Sequence, residues 1–464
     1  MSDTGYLTRL DAPRGVRDLL PPRSNLMWAA TVYFGELARL YGYEPIETPT
    51  FEHTAVFERS VGESTDIVTK QMYTFSDKSG VSLTLRPEGT AGVVRAFVQH
   101  EIHKSTPLPW RVFYVEDMFR YERPQAGRYR QFKQVGVEAI GARDPQSDAE
   151  QIELCWRFLE AVGVGALEVR INSLGDPSCR PRFITELASY LADAKVYSAL
   201  CSDCKLRVEK NPMRVFDCKE ESCRRVLAAA PTIEEFLCEE CREHFSQLKE
   251  CLEVLGIPFK VQPELVRGLD YYTRTAFEIV SSALDAAQNA VAGGGRYDGL
   301  VEVLGGPPTP GVGFAIGVER ALLAAEASDS DASRRSIKEE TTVTVRGRGQ
   351  TALVPFDAKP DAVVVPLVKP AFPVSVKLAS DLRKMGYVAF TQEAGRSLRS
   401  QLRAADKAGA HLVALVGEEE LAAEAVTVKP LRLGGGGGTS QSRLPLNEAP
   451  TYIDGLLRAG GTRQ

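Results

Sequence analysis

The amino-acid sequence predicts an α+β core with an antiparallel sheet flanked by helices and interrupted by a helical insertion, followed by a small α/β domain. Three observations point there. Two apolar-rich runs, 110–119 and 132–141, flank a polar segment carrying Pro124 and Gly127, the pattern of two antiparallel strands joined by a long loop. From about 178 to 258 the pattern turns helical, interrupted and cysteine-rich. Beyond 360 the apolar strings DAVVVPLV, YVAF, HLVALVG and AVTVKPL alternate with helical stretches, as in a separate α/β unit. The expected bounds are therefore 1–325 for the core, 326–360 for a Ser/Asp-rich, mixed-charge linker, and 361–464 for the last domain.

Composition narrows the function classes. A chain of 464 residues suggests about three domains. Its 44% apolar and 25% charged content is ordinary for a water-soluble globular protein. No run of 18 apolar residues occurs and the opening MSDTGYLTRLDAPRG lacks an apolar core, so neither a membrane span nor a signal peptide is expected, and a cytoplasmic location is. A net charge of −5 argues against a chain that coats nucleic acid indiscriminately, so any RNA contact must come from local basic patches. Nine cysteines in such a compartment read as thiols or metal ligands rather than disulfides.

Taken in order, residues 24–41 have apolar positions at helical spacing after a capping serine, and Gly42 ends that helix. The extended YEPIETPTFE follows, its prolines suiting an edge or interface strand. A strand over 81–85 then delivers RPEGT. Glu88 and Thr90 can hold an ammonium group, since an ionised glutamate only accepts hydrogen bonds; capping of the helix 91–100 is a second reading, and the two are compatible.

In the second run of the long hairpin, alternation puts Gln134, Gly136 and Glu138 on one face and Val135, Val137 and Ala139 on the other. The apolar face packs, and the polar face reads as a site with a glycine leaving room. Arg120, Arg123, Arg128, Arg130 and Lys133 fall within fourteen residues. Guanidinium forks match phosphate oxygens, so this loop suits polyphosphate or a nucleic-acid backbone, against the plainer alternative of a solvated charged loop.

A helix over 148–162 and a strand over 167–171 lead to the insertion. There CxxC at Cys201/Cys204 and CxxC at Cys238/Cys241, with Cys218 and Cys223 between them, match a tetrahedral thiolate zinc site in ligand type and pair spacing. Six reduced cysteines in a helical insertion is the alternative. Next, Arg267 and Gly268 precede a strand expected over 271–280. AGGGRYDG leads into PGVGFAIGVERALLA, a glycine-rich strand entering a helix that carries Arg320. GVGFAIG lacks the third-glycine spacing of a dinucleotide fingerprint, and no GxxxxGK[ST] occurs. In the last domain Arg399, Arg403 and Lys407 recur at spacing four, with Arg396 just before, forming one basic helix face that suits an RNA backbone or is simply solvated. Five glycines at 434–438 read as a hairpin tip.

FRYERPQAGRYRQF resembles motif 2 of the class II aminoacyl-tRNA synthetases, and in its full wording the histidyl-tRNA synthetase family. The helix 24–41 with Pro49 resembles motif 1, which in class II synthetases forms the dimer interface. RGLDYY and GGGRYDGL resemble the two histidine-specific signatures, and PGVGFAIGVER resembles motif 3. Neither HIGH nor KMSKS, the class I hallmarks, is present. The resemblance implies a class II catalytic core with a C-terminal anticodon-binding domain, a homodimer, and activation of L-histidine by ATP with Mg²⁺ before transfer to the 3′ end of tRNA(His).

Residue by residue, the resemblance implies that Arg120 and Arg267 hold the α-phosphate as catalytic groups and Arg320 the ATP tail. It also implies that Glu88, Thr90 and Gln134 hold the substrate's ammonium and Glu138 with Tyr272, helped by Tyr271, the imidazole. Arg123 and Gln125 are expected at the tRNA acceptor end, and Arg396, Arg399, Arg403 and Lys407 on the anticodon side. Because the family includes members without the insertion's cysteines, a metal there would be structural. The 326–360 stretch is longer and more polar than the family's usual link. Two rivals remain open: a catalytically silent paralogue that regulates histidine biosynthesis, and a synthetase for another amino acid.

Overall fold

The computed structural model describes residues 11–62, 65–284, 289–328, 360–392, 397–432 and 441–459. The chain divides into two compact units, Met1–Phe356 and Asp357–Gln464. Most of the expected linker and the glycine run at 434–438 lie outside the described residues.

In the first unit the strands are β1 (Glu44–Pro45), β2 (Phe51–His53), β3 (Tyr73–Ser76), β4 (Ser82–Leu85), β5 (Trp110–Phe119), β6 (Gln131–Ile140), β7 (Leu167–Ser173), β8 (Phe259–Val261), β9 (Thr273–Ser281), β10 (Ala290–Arg296) and β11 (Gly311–Gly317). Eight form one sheet in the order β1-β5-β6-β11-β10-β9-β7-β8. Its six central strands pair antiparallel, and β1 and β8 join the edges in parallel. The remaining three make a small sheet, β2-β4-β3.

One face of the large sheet is buried under helices. Helix Arg23–Leu40 places Met27, Ala30, Phe34, Leu37 and Ala38 inward, the three-four spacing of a single stripe. Helix Pro145–Val162 begins with proline at its first turn and ends at Gly163 in the left-handed region, the terminal chemistry such a helix favours. Helix Val318–Ala327 completes the layer, and Val135, Val137 and Ala139 of β6 point into it as the alternation requires. On the opposite face, helix Thr90–Gln99 packs Val93, Val94 and Phe97 against Val112, Tyr114 and Met118 of β5.

The insertion has its own small core. Phe183, Leu187 and Leu191 of helix Arg180–Ala192 meet Val215, Leu227 and Ile233 there, together with buried Cys179, Cys204, Cys218, Cys223 and Cys241. Helix Glu239–Val254 ties it back to the main core through Phe245, Leu248 and Leu252.

The second unit is a five-stranded mixed sheet, with β12 (Ala362–Pro366), β13 (Ala389–Thr391), β14 (Leu412–Val416), β15 (Ala425–Pro430) and β16 (Ser442–Pro445) in the order β13-β12-β14-β15-β16. Strand β12 lies between parallel neighbours and is buried at every position, which is why it reads as an unbroken apolar run. Strand β16 and the closing helix Ala449–Ala459 are additions to the sequence reading. Among the described residues no helix is long and apolar enough to cross a membrane.

Candidate active site

Strands β6, β11, β10 and β9 floor a cavity of ≈ 720 Å³. Into it open Glu88, Thr90 and Gln134, with Tyr271 and Tyr272, and, of the six arginines that line it, the expected Arg120, Arg267 and Arg320. These eight side chains meet in one place, although they come from chain positions more than two hundred residues apart, whereas Glu138, expected beside them, does not line the cavity. Glu138 lies one layer lower. It is fully buried, accepting from Thr90 Oγ1 at 2.7 Å and from the Tyr297 hydroxyl at 2.5 Å.

Burial pushes the Glu138 carboxyl up to about 8, an effect that Glu88 reinforces and the hydrogen bonds from Tyr297 and Thr90 oppose. Burial thus favours the protonated form of this carboxyl. Glu88 shows the capping expected of it and also lines the cavity. Its carboxylate accepts the Thr90 and Ala91 amides at 2.8 Å each, capping helix Thr90–Gln99, while the side chain faces the cavity. The Gln134 carbonyl oxygen is buried without a hydrogen-bond partner, on a residue that lines the cavity. The room above Gly136 is taken by the Tyr114 hydroxyl, itself buried and unpartnered.

Arg120 is held by its Nε, which donates to the Pro87 carbonyl at 2.8 Å. Arg267 pairs with Glu278 at 3.0 Å and lies along Gly293, where a Cβ would stand 2.3 Å from the guanidinium. Burial and neighbouring Arg128 lower the Arg320 pKa to about 10. Burial and the same arginine pair, Arg128 and Arg320, also lower Lys219. This corner concentrates positive charge that an entering polyanion would relieve.

Tyr297 and Tyr114 carry no role in the sequence reading. Tyr297 follows Arg296, whose fully buried guanidinium pairs with Asp148 on helix Pro145–Val162, so Tyr297 is left to face Glu138. Tyr114 sits in an apolar strand and reads as core. Tyr271 and Tyr272 stand just before β9 rather than within it, their rings 4.7 Å apart.

Arg123 and Gln125 are exposed on the hairpin loop, outside the cavity lining. Arg399, Arg403 and Lys407 are exposed on helix Leu398–Lys407 of the second unit, and Arg396 lies outside the described residues. The cysteine assignment needs correction. Cys201 and Cys204 converge with Cys218 and Cys223, whereas Cys238 and Cys241 converge with Asp176 and Cys179. Spacing identifies CxxC pairs but not which pairs the fold brings together.

A family model described as histidyl-tRNA synthetase matches residues 15–321, and an anticodon-binding domain matches 361–456. The chain belongs to the histidyl-tRNA synthetase family. Among curated relatives, the histidine–tRNA ligase of Desulfitobacterium hafniense (strain DSM 10664 / DCB-2) is 44% identical over 439 residues, covering 95% of this chain and 96% of its own. That of Halothermothrix orenii is 46% identical over 427 residues, covering 91% and 95%. Among solved structures, apo histidyl-tRNA synthetase from S. aureus superposes with TM-score 0.74 at 35% identity, covering 96% of this chain and 100% of that one. An ATP phosphoribosyltransferase regulatory subunit/histidyl-tRNA synthetase from Bacillus halodurans C shares the fold at TM-score 0.58 and 21% identity, over 88% and 97% of the two chains. The large sheet with its flanking helices is thus the class II synthetase core, and the second unit is the anticodon-binding domain.

Proposed function

We infer that this cavity joins histidine to ATP and that the enzyme then charges tRNA(His) with the activated amino acid, for use in protein synthesis. The observation that carries the reading is the convergence on one cavity of Arg120, Arg267 and Arg320 with a glutamate, Glu138, buried beneath it. Attack of the histidine carboxylate on the α-phosphate joins two anions, releasing pyrophosphate and leaving histidyl-adenylate. Arg120 and Arg267, fixed beforehand by Pro87 and Glu278, neutralise the charge that builds in transit without having to reorganise. Arg320 takes the ATP tail, and Mg²⁺ entering with the nucleotide would offset part of the phosphate charge.

The histidine ammonium donates to Glu88, Thr90 and Gln134, all three of which line the cavity. Its imidazole meets Tyr272 and Tyr271, with Glu138, buried behind Thr90 and Tyr297, as the acidic group of the pocket. A side chain without ring nitrogens leaves buried polar groups unpaired, and this is what rejects it. Arg123 and Gln125 on the exposed loop meet the acceptor end of tRNA, and Arg399, Arg403 and Lys407 the anticodon side. Edge strand β1 together with exposed Phe51 and Phe75 supports a homodimer built on this side of the core. The location is cytoplasmic.

Pyrophosphate exchange with each of the twenty amino acids tests the activation step. Exchange with histidine alone is expected. Exchange with another amino acid, or none, would overturn the reading in favour of a different synthetase or a silent regulatory paralogue.

A further inference from the structure

The insertion carries two groups of side chains whose ligand atoms converge, each within 4.8 Å of one another: Cys201, Cys204, Cys218 and Cys223, and Asp176, Cys179, Cys238 and Cys241. We propose that these are two separate tetrahedral zinc sites, one of four thiolates and one of three thiolates and a carboxylate, which together brace the Arg267–Arg274 segment from both sides.

The spacing of the ligand atoms is that of a coordination shell. Zinc–sulfur bonds of about 2.3 Å place tetrahedral ligands roughly 3.8 Å apart. Cys201 and Cys218 stand at 3.8 Å, Cys179 and Cys241 at 3.9 Å, and the Asp176 carboxylate and Cys238 sulfur at 3.8 Å. Backbone amides turn toward the sulfurs in both groups, as outer partners of metal thiolates do. The Cys204 amide faces Cys201 Sγ at 3.4 Å, the Cys201 amide Cys223 Sγ at 3.2 Å, and the Asp176 amide Cys179 Sγ at 3.2 Å. Cys155 and Cys251, the other two thiols of the chain, belong to neither group.

Local stability asks for such a device. Helices Ala194–Ala199, Ser202–Lys210 and Glu221–Leu227 are six, nine and seven residues long, too short to persist alone in water. Cysteines occupy core positions where larger apolar side chains would otherwise pack, which is how small domains with metal staples are built. Cations stand beside each group: Arg274 reaches Asp176 at 3.5 Å, and Arg224 Nε the Cys218 carbonyl at 3.4 Å, placed to offset the excess negative charge of a zinc–thiolate centre.

Each group is tied to the same stretch of the active site. On the four-cysteine side, Asn211 bonds Asp270 at 3.1 Å and Arg214 the Gly268 carbonyl at 2.9 Å, next to Arg267. On the aspartate side, Arg180 donates to the Tyr272 carbonyl at 2.6 Å, and the Arg274 carbonyl accepts from the Leu174 amide at 2.6 Å. The bracing role rests on the placement of Arg267 and Tyr272 in the reaction above, whereas the metal content does not.

Full-length protein purified without chelator is analysed for metal by mass spectrometry, and in parallel reconstituted with cobalt and examined by visible absorption. Two zinc ions per chain are expected, and cobalt should give the intense bands of tetrahedral thiolate sites. C218S/C223S should retain one ion, C179S/C241S the other, and the control C155S/C251S both. Metal-free protein, a single ion, iron in place of zinc, or one double variant losing both ions would overturn the proposal. Should a variant fail to fold, the metal count and cobalt spectrum of the unaltered protein still decide it. Pyrophosphate exchange unchanged in both one-zinc variants would overturn the bracing role alone.

Discussion

Glu138 Oε2 lies against the backbone of Gly313, its cross-strand neighbour in the sheet, so closely that a Cβ on Gly313 would stand 1.8 Å from it. Only a hydrogen side chain leaves the carboxylate where Thr90 and Tyr297 hold it. Gly313→Ala should therefore displace Glu138 and reduce kcat/KM for histidine in pyrophosphate exchange roughly 10- to 100-fold, the effect of about 1–3 kcal/mol of overpacking. Unchanged exchange in a folded variant would show that Glu138 does not contribute to recognition.

The two α-phosphate arginines should behave as transition-state groups. Arg120→Ala and Arg267→Ala are each expected to lower kcat for adenylate formation by about 10²–10³, near 3 kcal/mol. Arg320→Ala, by contrast, should act chiefly through KM for ATP. Arg267→Lys should rescue little, since a point charge replaces a fork that both pairs with Glu278 and lies along Gly293. Single-turnover measurement of adenylate formation separates these outcomes.

A buried acid held up to about 8 gives a pH signature with a definite sign. The folded state retains the Glu138 proton where the unfolded chain releases it, so stability due to this group is full below about pH 4.5, falls as pH rises, and levels off above about 8. Glu138→Gln removes the ionisation. Without ligand, the melting temperature of the parent relative to E138Q should decline from pH 5 to pH 8, and parallel curves would refute the assignment.

Tyr297→Phe removes one of the two hydrogen bonds that favour the ionised carboxylate. The Glu138 ionisation should move further upward in pH, carrying the same limb of the kcat/KM profile for histidine with it. A profile that only falls in height, without displacement, would make Tyr297 a packing residue.

Charge reversal on the second unit should separate the two half-reactions. Arg399→Glu with Arg403→Glu is expected to leave pyrophosphate exchange intact while lowering kcat/KM for tRNA about tenfold or more, with a shallower salt dependence. Equal aminoacylation by the variant would leave that helix a solvated face.

Much of this architecture is written locally. The β5–β6 hairpin is legible because alternation and turn chemistry agree, and its polar face alone places Gln134 and Glu138 beside the cavity. Strand β3, largely exposed, and strand β16, four residues long beside the glycine run, offer no periodicity to detect. Tyr114 is indistinguishable from a core aromatic until Gly136 is seen beneath its hydroxyl. The cysteine groups were legible as pairs only, because their completion by Asp176, Cys179, Cys218 and Cys223 is a tertiary event.

Glu88 fastens the first turn of helix Thr90–Gln99 with both of its carboxylate oxygens while the residue also lines the cavity. Lining and scaffold are thus coupled at this position: replacing Glu88 changes the cavity wall and at the same time frees the Thr90 and Ala91 amides that start the helix.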